Sequence, residues 1–88
     1  MDRFKEIDAF VQVMAHGSLA AAALAEGVTP VMMGRRLDAL EQRLGTQLVI
    51  RTTRRLTLTD QGASYLDECH QLLARWEEAE KAVSSQHQ

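Results

Sequence analysis

The chain has one cysteine, one proline and four aromatic residues in 88 positions, and it carries no excess of positive charge. The lone cysteine, Cys69, cannot form an internal disulfide, which excludes a disulfide-stapled secreted scaffold and fits a reducing cytoplasm. No apolar run approaches the ~20 residues that cross a bilayer. The N-terminal stretch MDRFKEIDAF mixes acids with bases and lacks the apolar centre of a signal peptide. Few aromatics in one small domain make a modest core, and an oligomer contact would add burial. The net charge of −2 and pI near 5.9, taken whole, argue against nucleic acid.

The distribution of charge reverses that reading. Between Val28 and Thr59 stand six arginines (Arg35, Arg36, Arg43, Arg51, Arg54, Arg55) against Asp38 and Glu41, a local net of +4. The remainder holds four basic residues against ten carboxylates, a net of −6. Phosphates respond to the local field, screened over about 10 Å at 0.1 M salt, more than to the total. Every basic residue of the island is arginine, whose planar fork suits phosphate and guanine. A solvated surface with scattered ion pairs is the competing explanation.

Helix signals are dense. Asp2 is a good N-cap, and Phe4, Ile7, Phe10, Val11 and Met14 recur at helical spacing up to a stop at Gly17. Ser18 caps a second, short helix over Leu19–Glu26, with a run of small residues at Ala20–Ala23 that favours close helix approach. Thr29-Pro30 is the clearest helix start, a capping hydroxyl followed by proline at the first helical position. Met33, Leu37, Leu40 and Leu44 then form an apolar stripe. Val31, Arg35, Asp38 and Gln42 lie opposite, flanked by Gly34 and Arg36, and Gly45 ends the helix.

Gln47–Arg51 and Leu56–Leu58 read as short strands around Thr52–Arg55, with Leu48, Ile50, Leu56 and Leu58 facing inward. Thr59 caps a last helix from Asp60 to about Val83, roughly 36 Å long at about 1.5 Å per residue. On it, Leu66, Cys69, Leu73, Trp76, Glu80 and Val83 follow alternating spacings of three and four, the pattern of a coiled-coil seam. Tyr65 and Leu72 beside the seam would anchor the helix to the small domain. So long a helix predicts homodimerisation through that seam. The fold class is mainly α: a winged helix-turn-helix over residues 1–59, then a linker and dimerisation helix over 60–88.

Phe10 and Val13, Gly17-Ser18-Leu19, Ala21-Ala22, Val28-Thr29-Pro30, Arg35, Leu37, Leu40-Glu41, Leu44-Gly45, Leu48, Arg51, Leu58-Thr59 and Gly62 stand in one order. In that order they resemble the N-terminal DNA-binding domain of LysR-type transcriptional regulators, over nearly the whole chain. The resemblance implies a bacterial, cytoplasmic regulator that binds an inverted-repeat operator in duplex DNA as a dimer. It also implies an effector-sensing domain after the linker helix in full-length chains. This sequence ends where that helix ends, so a small-molecule effector is expected to act only through a domain outside it.

Carried onto this sequence, the resemblance puts Thr29, Pro30, Val31, Gly34 and Arg35 at bases and phosphates of the major groove; Arg36, nearer the buried edge of the helix, is a phosphate candidate by its position. It sends Arg54 toward the minor groove, sets Arg51, Thr52, Thr53 and Arg55 on the flanking backbone, and offers Ser18 to a phosphate at a helix N-terminus. Arg35 has an alternative use in an ion pair with Asp38. The family usually has serine or threonine at Gly34. Glycine there is either tolerated or brings the recognition helix closer to DNA at a cost of about 1 kcal/mol. Leu24 and Glu26 also depart from the family pattern. No metal or cofactor is expected: Cys69 and His70 diverge on a helix, and no second cysteine exists. No nucleophile motif or phosphate-binding glycine loop points to an enzyme. A protein–protein module whose arginines only solubilise it is the competing function.

Overall fold

The computed structural model describes residues 2–52 and 55–85. Helices α1 (Arg3–His16), α2 (Leu19–Glu26) and α3 (Pro30–Leu44) precede a two-stranded antiparallel sheet of β1 (Val49–Arg51) and β2 (Leu56–Leu58), and α4 (Asp60–Ser85) follows.

Local chemistry fixes the helix ends. Asp2, Ser18 and Thr29 each accept a backbone N–H of the first turn, from Phe4 at 2.8 Å, Ala21 at 3.0 Å and Met32 at 3.1 Å. Gly17 and Gly27 stop α1 and α2 in the left-handed conformation, at φ 84° and 73°, where a side chain would be strained. Thr59 Oγ1 accepts from Gly62 N–H at 2.9 Å and starts α4.

The core joins Ala9, Phe10, Val11 and Val13 of α1 to Ala22 and Ala23 of α2 and to Met33, Leu37 and Leu40 of α3. Leu48, Val49 and Cys69 close it from the wing and α4. The small side chains of α2 let that helix pack against both neighbours. Phe10 stacks on Tyr65 with ring centroids 6.0 Å apart, fastening α1 to α4.

Three expectations are corrected. Phe4 is half exposed and lies against Trp76 at 5.0 Å, whereas Glu6 is buried. Burial of that carboxylate is offset by Arg43, whose Nε donates to Glu6 Oε1 at 2.9 Å. In β1 it is Val49 that faces inward, and Ile50 is 45% exposed. The register pairs Val49 with Leu58 and Arg51 with Leu56, so Ile50 and Thr57 share the outer face. The reason lies ahead of the strand. Glu41 Oε2 accepts the N–H groups of both Leu48 and Val49, at 2.7 and 3.1 Å, and side-chain alternation begins only after that tie. Leu72, expected as an anchor, is 57% exposed, and Tyr65 with Leu66 and Leu73 does the anchoring.

Gly62 packs the first turn of α4 directly on the wing. A Cβ at this position would collide with the backbone carbonyl of Leu48, which itself accepts Thr59 N–H at 3.0 Å. Backbone on both sides leaves nothing flexible to move. Gly62→Ala should therefore cost about 3 kcal/mol in a urea melt. A variant as stable as the parent would contradict this packing.

Candidate nucleic-acid interface

The first turn of α3 is stiff and outward-facing. Pro30 occupies a position where no N–H is needed, and the Thr29 carbonyl accepts Met33 N–H at 3.0 Å. Met33 has no exposed surface, while Val31 is 64% and Met32 44% exposed. Arg35 is exposed one turn after Val31, and Arg36 is half-buried. The helix thus holds the core with one side and presents Thr29, Pro30, Val31 and Arg35 on the other.

The wing lies beside the start of α2. Gly17, Ser18, Leu19, Arg51, Thr52, Arg55 and Leu56 line one cleft. Into this region open the first N–H groups of α2, which carry the partial positive charge of a helix N-terminus. Thr52 N–H donates to the Arg55 carbonyl at 2.9 Å, and Arg55 N–H donates to Thr52 Oγ1 at 3.1 Å, so the base of the wing turn is closed. The expected contacts Thr53 and Arg54 lie outside the described residues.

The arginines of the basic island divide into two groups. Arg43 is held by Glu6. Arg51 is held by Asp38 at 2.6 Å and by Glu41 at 3.5 Å. Among the described residues, Arg35, Arg36 and Arg55 have no carboxylate within ion-pair distance. The alternative pair of Arg35 with Asp38 does not form, because Asp38 is taken by the wing. Asp38 and Glu41 were not singled out from the sequence as partners of Arg51. A guanidinium ten and thirteen residues away gives no local signal.

Gly34 is buried, not displayed. A Cβ there would stand 3.8 Å from Leu19 Cδ1 and 4.0 Å from Arg51 Nη1, both ordinary contacts. Its direction is toward α2 and the wing, which favours the alternative that glycine is simply tolerated here.

The expected dimer seam falls into two parts. Cys69 is fully buried in its own domain and leaves no surface for a second chain, and Leu66 and Leu73 pack half-buried on the same core. Trp76, Glu80 and Val83 lie on the exposed half of α4, where Trp76 Nε1 donates to Glu80 Oε2 at 3.1 Å. Burial pushes the Cys69 thiol up from its ordinary pKa, which suits a small inert hydrophobe. No three His, Cys, Asp or Glu side chains converge as a metal site requires among the described residues. Nor is any single helix there long and apolar enough to cross a membrane.

Because a Cβ fits at position 34, Gly34→Ala should raise stability by about 0.5–1 kcal/mol through helix propensity alone. A thermal melt checks this, and a lowered Tm would show that the position must stay bare.

Comparison with known proteins agrees with this geometry. Residues 4–63 match the family described as bacterial regulatory helix-turn-helix protein, lysR family. An HTH-type transcriptional regulator of Xanthomonas campestris pv. campestris is 45% identical over 74 residues, covering 84% of this chain and 22% of that protein. An HTH-type transcriptional repressor of Pseudomonas aeruginosa is 40% identical over 83 residues, covering 94% of this chain and 26% of the other. The chain therefore spans about a quarter of the length of the curated relatives it matches. Among solved structures, a CbnR DNA-binding domain in complex with DNA superposes with a TM-score of 0.88 at 27% identity, covering 100% of both chains. These relatives are regulators and not enzymes. The chain belongs to the LysR family of bacterial helix-turn-helix regulators, and its fold is that family's winged, DNA-binding helix-turn-helix with a long C-terminal helix.

Proposed function

We propose that the domain binds duplex DNA sequence-specifically as a homodimer, with α3 in the major groove and the wing along the backbone and minor groove. The observation that carries this reading is the grouping of uncompensated arginines. Arg35 and Arg36 on α3 and Arg55 on the wing lack carboxylate partners among the described residues, while the acidic excess lies elsewhere in the chain.

Each role follows from chemistry. Arg35, exposed near the start of α3, suits bidentate donation to guanine O6 and N7. Val31 and Pro30 beside it offer apolar surface to base edges, the thymine methyl included. Thr29 and Arg36 flank them toward the sugar–phosphate backbone. Ser18 and the α2 N-terminus receive a phosphate, with Thr52 and Arg55 on the same strand. Arg54, next to Thr53, keeps the minor-groove role implied by the family resemblance.

Dimerisation uses the outer half of α4, where Leu72, Trp76 and Val83 expose apolar surface at 57%, 54% and 59%. An isolated helix would gain by covering it. In the whole protein an effector would act through a further domain, and the regulator would work on DNA in the bacterial cytoplasm, associated with the nucleoid.

Selection of duplexes from a random pool, followed by titration at two salt concentrations, tests the reading. The expected product is an inverted pair of half-sites bound by two chains. Arg35→Ala should cost about 1–3 kcal/mol on that duplex and relax one base position. Enrichment of no sequence even at low salt would refute specific DNA binding. A single asymmetric site bound by one chain would refute the dimer.

A further inference from the structure

The recognition helix carries two carboxylates close to the DNA-facing side, where negative charge repels phosphate. Gly34, Asp38 and Glu41 follow one another at i, i+4 and i+7 and form one stripe of α3. Arg51, the last residue of β1, lies over that stripe. Its Nη2 is 2.6 Å from Asp38 Oδ1 and 3.5 Å from Glu41 Oε1, and its Nη1 is 4.0 Å from where a Cβ of Gly34 would stand. The other oxygen of Glu41 accepts the N–H groups of Leu48 and Val49. Both ends of β1 are thus tied to α3, the first through backbone N–H groups and the last through a guanidinium. The ties are partly shielded: the side chains of Arg51 and Glu41 are 30% and 16% exposed.

We propose that Arg51 is a positioning residue and not a phosphate contact. Clamped on Asp38 and Glu41 over Gly34, it fixes the wing to the recognition helix, so that both meet DNA as one preformed surface. This inference rests on the DNA binding proposed above. Its physical basis is preorganisation: a wing already held loses less freedom when it binds. The arginine fork engages two carboxylates at once, which a lysine ammonium on a flexible stem would do less well. The clamp also neutralises Asp38 beside the reading face. The positive charge of Arg51 is consumed within the protein, and the wing's grip on DNA falls to its other cations.

Asp38→Asn tests the clamp by sign. Deleting a carboxylate near a DNA-binding surface ordinarily tightens binding to a polyanion. The clamp requires the opposite: Asp38→Asn should bind the duplex selected from the random pool more weakly, on the order of fivefold, with the salt slope unchanged. Arg51→Gln should do the same, whereas Arg55→Gln should lower the slope by about 0.9, the loss of one phosphate contact. In the free protein, Asp38→Asn should speed hydrogen exchange at the Thr52 amide, which the Arg55 carbonyl accepts at 2.9 Å.

Tighter binding with a steeper slope in Asp38→Asn would overturn the proposal, because a released Arg51 would then be gripping phosphate. A slope reduced by about 0.9 in Arg51→Gln would overturn it equally. If Arg51→Gln does not fold, Asp38→Asn decides alone. If the parent chain binds no duplex, the DNA-binding reading fails, and the Thr52 exchange still judges the clamp: no change in Asp38→Asn would sink it.

Discussion

Met33, Leu37 and Leu40 have no exposed surface, and the rest of the structure depends on that stripe. Burying three such side chains supplies roughly 1.5–3 kcal/mol each, far more than helix propensity gives. The stripe seats α3 against α1 and α2 and leaves its opposite side outward. Val31 and Arg35 are presented because Met33 and Leu37 cannot be. With α3 seated, Glu41 faces the incoming β1 and takes two of its N–H groups, so the same helix positions the wing. Gly62 then lets α4 close over Leu48 without a collision.

The second constraint is electrostatic. An acidic chain that binds DNA must concentrate its positive charge and must not waste it. Two of the six arginines between Val28 and Thr59 are committed inside the protein, Arg43 to a buried glutamate and Arg51 to two carboxylates of the recognition helix. Both are structural uses of a residue type that looks, in the sequence, like a nucleic-acid contact. Arg35, Arg36 and Arg55 remain without such partners among the described residues. The basic island is therefore smaller in effect than in composition, and its use is divided between folding and binding.

What the sequence made legible was local. Asp2, Ser18, Thr29-Pro30, Gly17 and Gly27 act within a few residues, and the boundaries of the first three helices follow from them. The third-helix stripe was equally plain, since its period is its mechanism. The misread features were non-local. Glu6 gave no signal in the sequence, because its partner Arg43 is 37 positions away. The facing of Val49 and Ile50 depends on a carboxylate from another helix, not on strand alternation. The spacing of Leu66, Cys69 and Leu73 is the same whether a helix packs on its own domain or on a second copy. Gly34 was noticed as unusual, but its direction toward Arg51 exists only in three dimensions. The clustering of arginines and the outward start of α3 were readable; which arginines the fold itself ties down was not.

In the proposed DNA-binding surface the arginines are partitioned, with Arg43 and Arg51 spent inside the fold and the rest left for bases and phosphate. Salt dependence of the parent chain on its selected duplex measures this most directly, because the slope of log K against log salt counts neutralised phosphates. If only Arg35, Arg36, Arg54 and Arg55 are available, the slope per chain should be no steeper than about −3.6. A slope near −5.4, the value for about six contacts per chain, would contradict the account by showing that Arg43 and Arg51 also reach the DNA.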